Sequence, residues 1–161
     1  MEKLLHYVWK HKLFPPEPLY TTDGQPVEII DTGLHNMDAG PDFFNAKVKI
    51  GGEIWVGNVE IHDHSSDWFA HNHHRDDHYN NVILHIAEAV DTDVKTANGL
   101  TPPQLQLTVP IQIARHYTEL LQTDDYPPCY QIIPKLAPIM VRSWLAALGT
   151  ERLERKTDDI I

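Results

Sequence analysis

The 161-residue sequence holds one cysteine, Cys129. No intrachain disulfide can form, which fits a reducing compartment, and a structural zinc site built on several cysteines is ruled out. Long hydrophobic runs are absent too. No stretch approaches the ~20 apolar residues of a membrane span, and the opening MEKLLHYVWKHKLF has no apolar segment of signal length. No membrane association is expected, and the cytoplasm is the expected location. Positive charge is scarce: 13 Lys and Arg stand against 23 Asp and Glu, a formal charge of −10. Such a chain has no general attraction to phosphates, so a nucleic-acid partner would need a local basic patch or a bound metal. Internal repeats and low-complexity tracts are also missing.

What the sequence has in excess is histidine. Seven of its 11 histidines lie between His62 and His85. The stretch around them, Gly40 to His85, alternates as strands do. Val48 and Ile50 alternate with Lys47 and Lys49, Gly51-Gly52 makes a hairpin turn, and a second run extends from about Glu53 to His62. Antiparallel pairing about the two glycines couples residues whose numbers sum to about 103, so Asp42 should face Ile61. Asp42, Phe44, Ala46, Val48 and Ile50 should share one side of the first strand, and Ile54, Val56, Asn58, Glu60 and His62 one side of the second. The two acids should then sit near the same end of the hairpin, on the same face if the register allows. A slip of one residue would move an acid to the opposite face.

The flanks read more simply. Residues 2–13 show helical spacing at Leu4, Leu5, Val8, Trp9 and Leu13, closed by Pro15-Pro16. Val27 to Ile30 reads as a short strand and residues 31–39 as a loop. Ser65-Ser66-Asp67 reads as the cap of a helix over about 67–74, Val82 to Val90 as a strand, and Gln104 to Val109 as another. Helices are expected over about 111–122 and 135–155, joined by a proline-rich linker. The expected fold is α+β: a small mixed sheet with flanking helices in αβββαβ order, a core over residues 1–110 and a helical extension over 111–161. The charged ending ERLERKTDDII, with no terminator, reads as a cut from a longer protein.

Pro41-Asp42 and Glu60-Ile61-His62, set on that order of elements, resemble the core of the PD-(D/E)xK phosphodiesterase superfamily, the restriction-endonuclease-like fold. The resemblance implies Asp42 and Glu60 as ligands of Mg²⁺ or Mn²⁺, with His62 catalytic in the place of the usual lysine, and a nuclease-like activity. Glu28 or Glu2 would supply a further acid. Lys47 and Lys49 alternate away from Asp42, so either could replace the lysine only across a bulge. The strings GPDFFNAKVKI, GNVEIH, SSDWFAH and YNNVILH, with LLHYVWKHKLF at the start, resemble the bacterial domain-of-unknown-function family 2851 over essentially the whole chain.

Other readings compete. A catalytically silent binding or scaffold module on the same fold is favoured by the missing lysine and the negative charge. A zinc hydrolase would use His64, His71, His73, His74 and His78, because His71–His74 and His74–His78 would meet on one helix face. His85, within an apolar strand, reads as a hydrogen-bonded core histidine. Trp55, Trp68 and Trp144 read as core or interface residues, and Cys129 as a nucleophile is the slightest candidate.

Overall fold

The computed structural model describes residues 2–15, 17–122 and 133–158. Cys129 and most of the expected proline-rich linker lie outside them. The chain forms two compact units, Met1–Tyr117 and Thr118–Ile161. In the first, α1 (Glu2–Lys10) precedes β1 (Leu19–Tyr20), β2 (Pro26–Asp31), β3 (Leu34–His35), β4 (Phe43–Ile50) and β5 (Glu53–His64). A one-turn helix α2 (Asp67–Ala70) and two 3₁₀ turns lead to β6 (Val82–Ala89) and β7 (Gln104–Gln106). Helix α3 (Ile111–Gln122) begins in the first unit, and the second contains α4 (Pro138–Asp158). The fold is thus α+β. None of the described helices is long and apolar enough to cross a membrane.

The strands form one mixed sheet in the order β1-β2-β4-β5-β6-β7, with β3 on β4. β2, β4 and β5 run antiparallel in succession; β6 is parallel to β5, and β7 to β6. The two ends of the sheet meet, because Thr21 bridges Leu105 and Thr22 N–H donates to Gln104 O at 2.8 Å. One face carries the main core. Leu5, Val8 and Trp9 of α1 pack there on Phe43, Val48, Val59, Ile61, Leu84 and Ile86. Each such side chain, fully buried, contributes ~1.5–3 kcal/mol. Trp9 is fixed as well by its indole N–H, which donates to Thr32 O at 3.0 Å. A smaller apolar cluster, Trp68, Tyr79, Val82 and Val94, includes the α2 segment that follows β5.

The hairpin register follows the expected sum from Ile50↔Glu53 to Ala46↔Gly57 and then slips by one, so that Phe43 pairs with Val59. Asn45 sits at the slip with φ +55°, a left-handed conformation that asparagine tolerates. The bulge reverses the faces beyond it: Phe43 is buried with Ala46 and Val48, while Phe44 is only half-buried. The expected single face Asp42-Phe44-Ala46-Val48 is therefore corrected. Ile54 and Val56, on the mostly apolar side expected to carry Glu60, are exposed at the tip of the hairpin, as is Trp55, expected in the core or an interface. The expected loop over residues 31–39 contains β3, and β7 is shorter than the expected strand.

Gly33 shows how tightly β3 is laid on β4. Its φ is +81°, and a Cβ there would fall on Phe44 O and 2.8 Å from Ala46 N, both backbone atoms. Gly33→Ala should destabilise the protein by about 1–3 kcal/mol in urea denaturation. An unchanged midpoint would show that this crossing can relax.

Candidate functional site

The bulge at Asn45 delivers Asp42 to Glu60. Asp42 N–H donates to Glu60 Oε2 at 3.1 Å, and Asp42 Oδ2 accepts from Ile61 N–H at 2.9 Å. Each acid is thus held by the main chain beside the other. Alternation along β5 sends Val59 and Ile61 into the main core and turns Glu60 and His62 to the opposite face. Both are buried, at 4% and 1% exposure. His85 of β6 pairs in register with Glu60 and is fully buried.

After β5 the chain folds back over this face. Ser65 Oγ lies 2.8 Å from both Asp91 Oδ1 and Thr92 O, between which its single proton is shared, and accepts from Thr92 N–H at 2.9 Å, which ties the ends of β5 and β6 together. Ser66, at the start of α2, makes no side-chain cap; its hydroxyl instead donates to Asp91 Oδ2. The expected helix over 67–74 stops after one turn, and Asn72 reverses the chain with φ +63°. The helical pairs His71–His74 and His74–His78 therefore do not form. His78 bonds Asp76 and is largely exposed. The reversal turns His73 inward instead. Its ring stacks on Tyr79, with centroids 3.8 Å apart and planes at 24°, and meets the edge of Trp68.

Four imidazoles and one carboxyl group meet there. His62 Nδ1 is 2.9 Å from His85 Nε2, and His62 Nε2 is 3.1 Å from His71 Nδ1. Glu60 Oε1 lies 3.1 Å from His73 Nε2 and 3.5 Å from His62 Nε2. The hydrogen bonds fix the tautomers. Gln104 Nε2 donates to Thr92 O, so its Oε1 is left to accept from His85 Nδ1 at 3.0 Å. His85 Nε2 is then an acceptor and takes the proton of His62 Nδ1. His62 consequently presents the lone pair of Nε2 to the site. Donor atoms of His62, His71 and His73 all lie within 4.8 Å of one another, a spacing that can hold a metal ion.

Burial sets the charges. It pushes Glu60 up to about 9, with the negative charge of Asp42 adding to the effect, so the metal-free acid is neutral at pH 7. Burial, reinforced by the neighbouring imidazoles, pushes His62 down to about 2, and burial pushes His85 down to about 4. His6 of α1 goes the other way. Burial opposes its protonation, but Asp42 Oδ2 at 3.2 Å and the charges around it raise its pKa. A cleft of about 520 Å³ opens beside Asp42, lined by His6, Tyr7, Lys10, His35 and Tyr117 among others.

Of the residues singled out from the sequence, Asp42, Glu60, His62, His71 and His73 come together. His85 is the hydrogen-bonded core histidine it was read to be. Glu28 pairs with Lys49 on β2, and Lys47 pairs with Val56. Val56 is four residues from Glu60, ~13 Å along the strand, so Lys47 is out of reach although the bulge reverses the faces as required. His64 is exposed at the end of β5. Glu2 lines the cleft. His6, His35 and Gln104 join the neighbourhood only through the fold, and no local pattern marks them.

No curated protein and no solved structure matches this chain. A family model described as protein of unknown function (DUF2851) matches residues 2–161. The run of residues that builds the site, Asp42 through Gln104, lies wholly within that match, and the chain belongs to the DUF2851 family.

Proposed function

We propose that the protein is a metal-dependent phosphodiesterase of the PD-(D/E)xK type acting on nucleic acid. Asp42 and Glu60 would be its acidic ligands, and His62 would stand where that superfamily has lysine. One observation carries the reading: Glu60 accepts from the Asp42 main-chain N–H while Asp42 accepts from the main-chain N–H of Ile61, which sets the two acids beside one another on adjacent strands. The element order supports it: with the two-residue strands β1 and β3 set aside, α1, the antiparallel strands β2, β4 and β5, the one-turn α2 and β6, parallel to β5, follow one another.

The residues present fit a cation. Burial beside a second acid keeps Glu60 protonated, and Mg²⁺ or Mn²⁺ would supply the charge that lets both acids ionise while leaving waters in place. When bound, such an ion polarises a phosphoryl oxygen and acidifies water. A cation also answers the −10 net charge, which otherwise repels a polyanion. His62 would orient a water through the Nε2 lone pair. His6, held by Asp42, offers a second proton-carrying group at the mouth of the cleft. The distance of Lys47 favours a second reading, a silent binding module on the same scaffold.

The test is hydrolysis of bis(p-nitrophenyl) phosphate and of single- and double-stranded DNA with Mg²⁺, Mn²⁺ or Zn²⁺. Asp42→Ala and Glu60→Ala should each lower a metal-dependent rate by at least about 100-fold, beyond the usual loss at an outer-shell partner. A wild-type protein inert with every metal would leave the silent module.

A further inference from the structure

We propose that this protein carries a nitrogen-rich cation site, formed by His62 Nε2, His71 Nδ1 and His73 Nε2 with Glu60 Oε1, that takes a zinc-class d-block ion. It depends on the proposed function only for its part in catalysis, not for its existence. It differs from the Asp42–Glu60 site in ligand chemistry and shares Glu60 with it. Mg²⁺ and Ca²⁺ demand oxygen, whereas imidazole selects zinc, cobalt and nickel.

Spacing is the first support. Ligand atoms ~2.0–2.1 Å from a tetrahedral zinc stand ~3.3 Å from each other. The observed separations straddle that value: His62 to His71 is 3.1 Å, His73 to Glu60 is 3.1 Å, and His62 to Glu60 is 3.5 Å. These are three of the six separations; the three imidazole nitrogens lie within 4.8 Å of one another, so ordering the site needs side-chain shifts of up to about 1.5 Å and no change of fold.

The second support is a polar atom that packing alone does not account for. A core histidine normally has both ring nitrogens partnered. His85 does, through Gln104 and His62. His73 does not: the residue is 8% exposed, its Nε2 is buried, and it makes no hydrogen bond. Glu60 Oε1 is close at 3.1 Å but outside hydrogen-bonding angles. A cation in that gap would displace the Glu60 proton and take the lone pairs of His73 Nε2 and Glu60 Oε1 together.

The third is preorganisation. A ligating imidazole needs its other nitrogen held by an outer partner, which fixes tautomer and ring orientation. The run Thr92 O, Gln104, His85, His62 does this, leaving His62 Nε2 with a lone pair. His73 is clamped between Tyr79 and Trp68. His71 is exposed, so its ring proton can move to the solvent-facing nitrogen, leaving Nδ1 free to bind. Gln104 and His85 are thus positioning residues.

The experiment uses the full chain stripped with EDTA and titrated with Zn²⁺ by calorimetry, and with Co²⁺ by visible absorption. One equivalent of Zn²⁺ should bind, and Co²⁺ should give the intense absorption of a low-coordinate, nitrogen-ligated ion. His71→Ala, at an exposed position, should weaken Zn²⁺ binding by at least about 100-fold. His73→Asn provides a second removal. His78→Ala, outside the cluster, should change nothing. Zn²⁺ binding indifferent to His71→Ala and His73→Asn, or no binding, overturns the proposal. Asp42→Ala separates the two readings: it should abolish phosphodiester hydrolysis yet leave Zn²⁺ affinity within a few-fold. A protein that binds Zn²⁺ through His71 but hydrolyses nothing refutes the proposed function and upholds this site.

Discussion

Glu60→Gln should raise the melting temperature of the metal-free protein at pH 8 by on the order of 5 °C, while abolishing stabilisation by added metal. The cause is a carboxyl group placed where its charge is unwelcome. Burial and the adjacent Asp42 push Glu60 up to about 9. In the unfolded chain it ionises near ~4.3. Between those values the folded protein holds one proton more than the unfolded, so stability falls as pH rises. Glutamine removes that penalty and can still accept from Asp42 N–H. The histidines act oppositely. His62 and His85 are held down to about 2 and about 4, so below ~6.5 the unfolded chain takes up protons that the folded one refuses. Stability then falls as pH drops, and the metal-free wild type should be most stable near pH ~6.5. Thermal melts in EDTA from pH 5 to 9 read both limbs. A Glu60→Gln protein less stable than wild type at pH 8 would show that Glu60 is held ionised by the fold.

His85→Leu should weaken zinc binding by about 10- to 100-fold without unfolding the protein. Leucine fills similar volume in a fully buried position, so packing survives. What is lost is the acceptor for His62 Nδ1–H. Without it His62 can place its proton on Nε2, the atom that should face the ion. His85→Gln, whose carbonyl can accept the same proton, should recover part of the affinity, a rescue no purely structural role predicts. Nitrogen-15 NMR of the histidine rings gives a direct readout: wild-type His62 should carry its proton on Nδ1. A proton on Nε2, or a His85→Leu affinity within twofold of wild type, would break the relay.

Much of the scaffold was legible because periodicity survives into structure. The 2.0-residue alternation of β4 and the Gly51-Gly52 turn set a register that holds from Ile50 to Ala46. It failed at Asn45, where a single left-handed residue re-aimed Asp42. An asparagine amid strand residues was the available signal, but no local rule says whether it bulges. The histidine cluster was visible as composition and misread as geometry. Helical spacing paired His71 with His74, whereas Asn72 ended the helix and sent His73 inward. His73 enters through its stack on Tyr79, and Gln104 through β7 alongside β6, both tertiary facts. The carboxyl pair was legible as two acids near one end of a hairpin, because it rests on that register.

The most direct test of a cation centre at Glu60 is anomalous diffraction from a crystal of the protein equilibrated with Zn²⁺. One strong peak is expected ~2.0–2.1 Å from nitrogens of His62, His71 and His73 and ~2.0–2.2 Å from Glu60 Oε1. A peak only at exposed groups such as Asp76 and His78, with nothing beside Glu60, would contradict it.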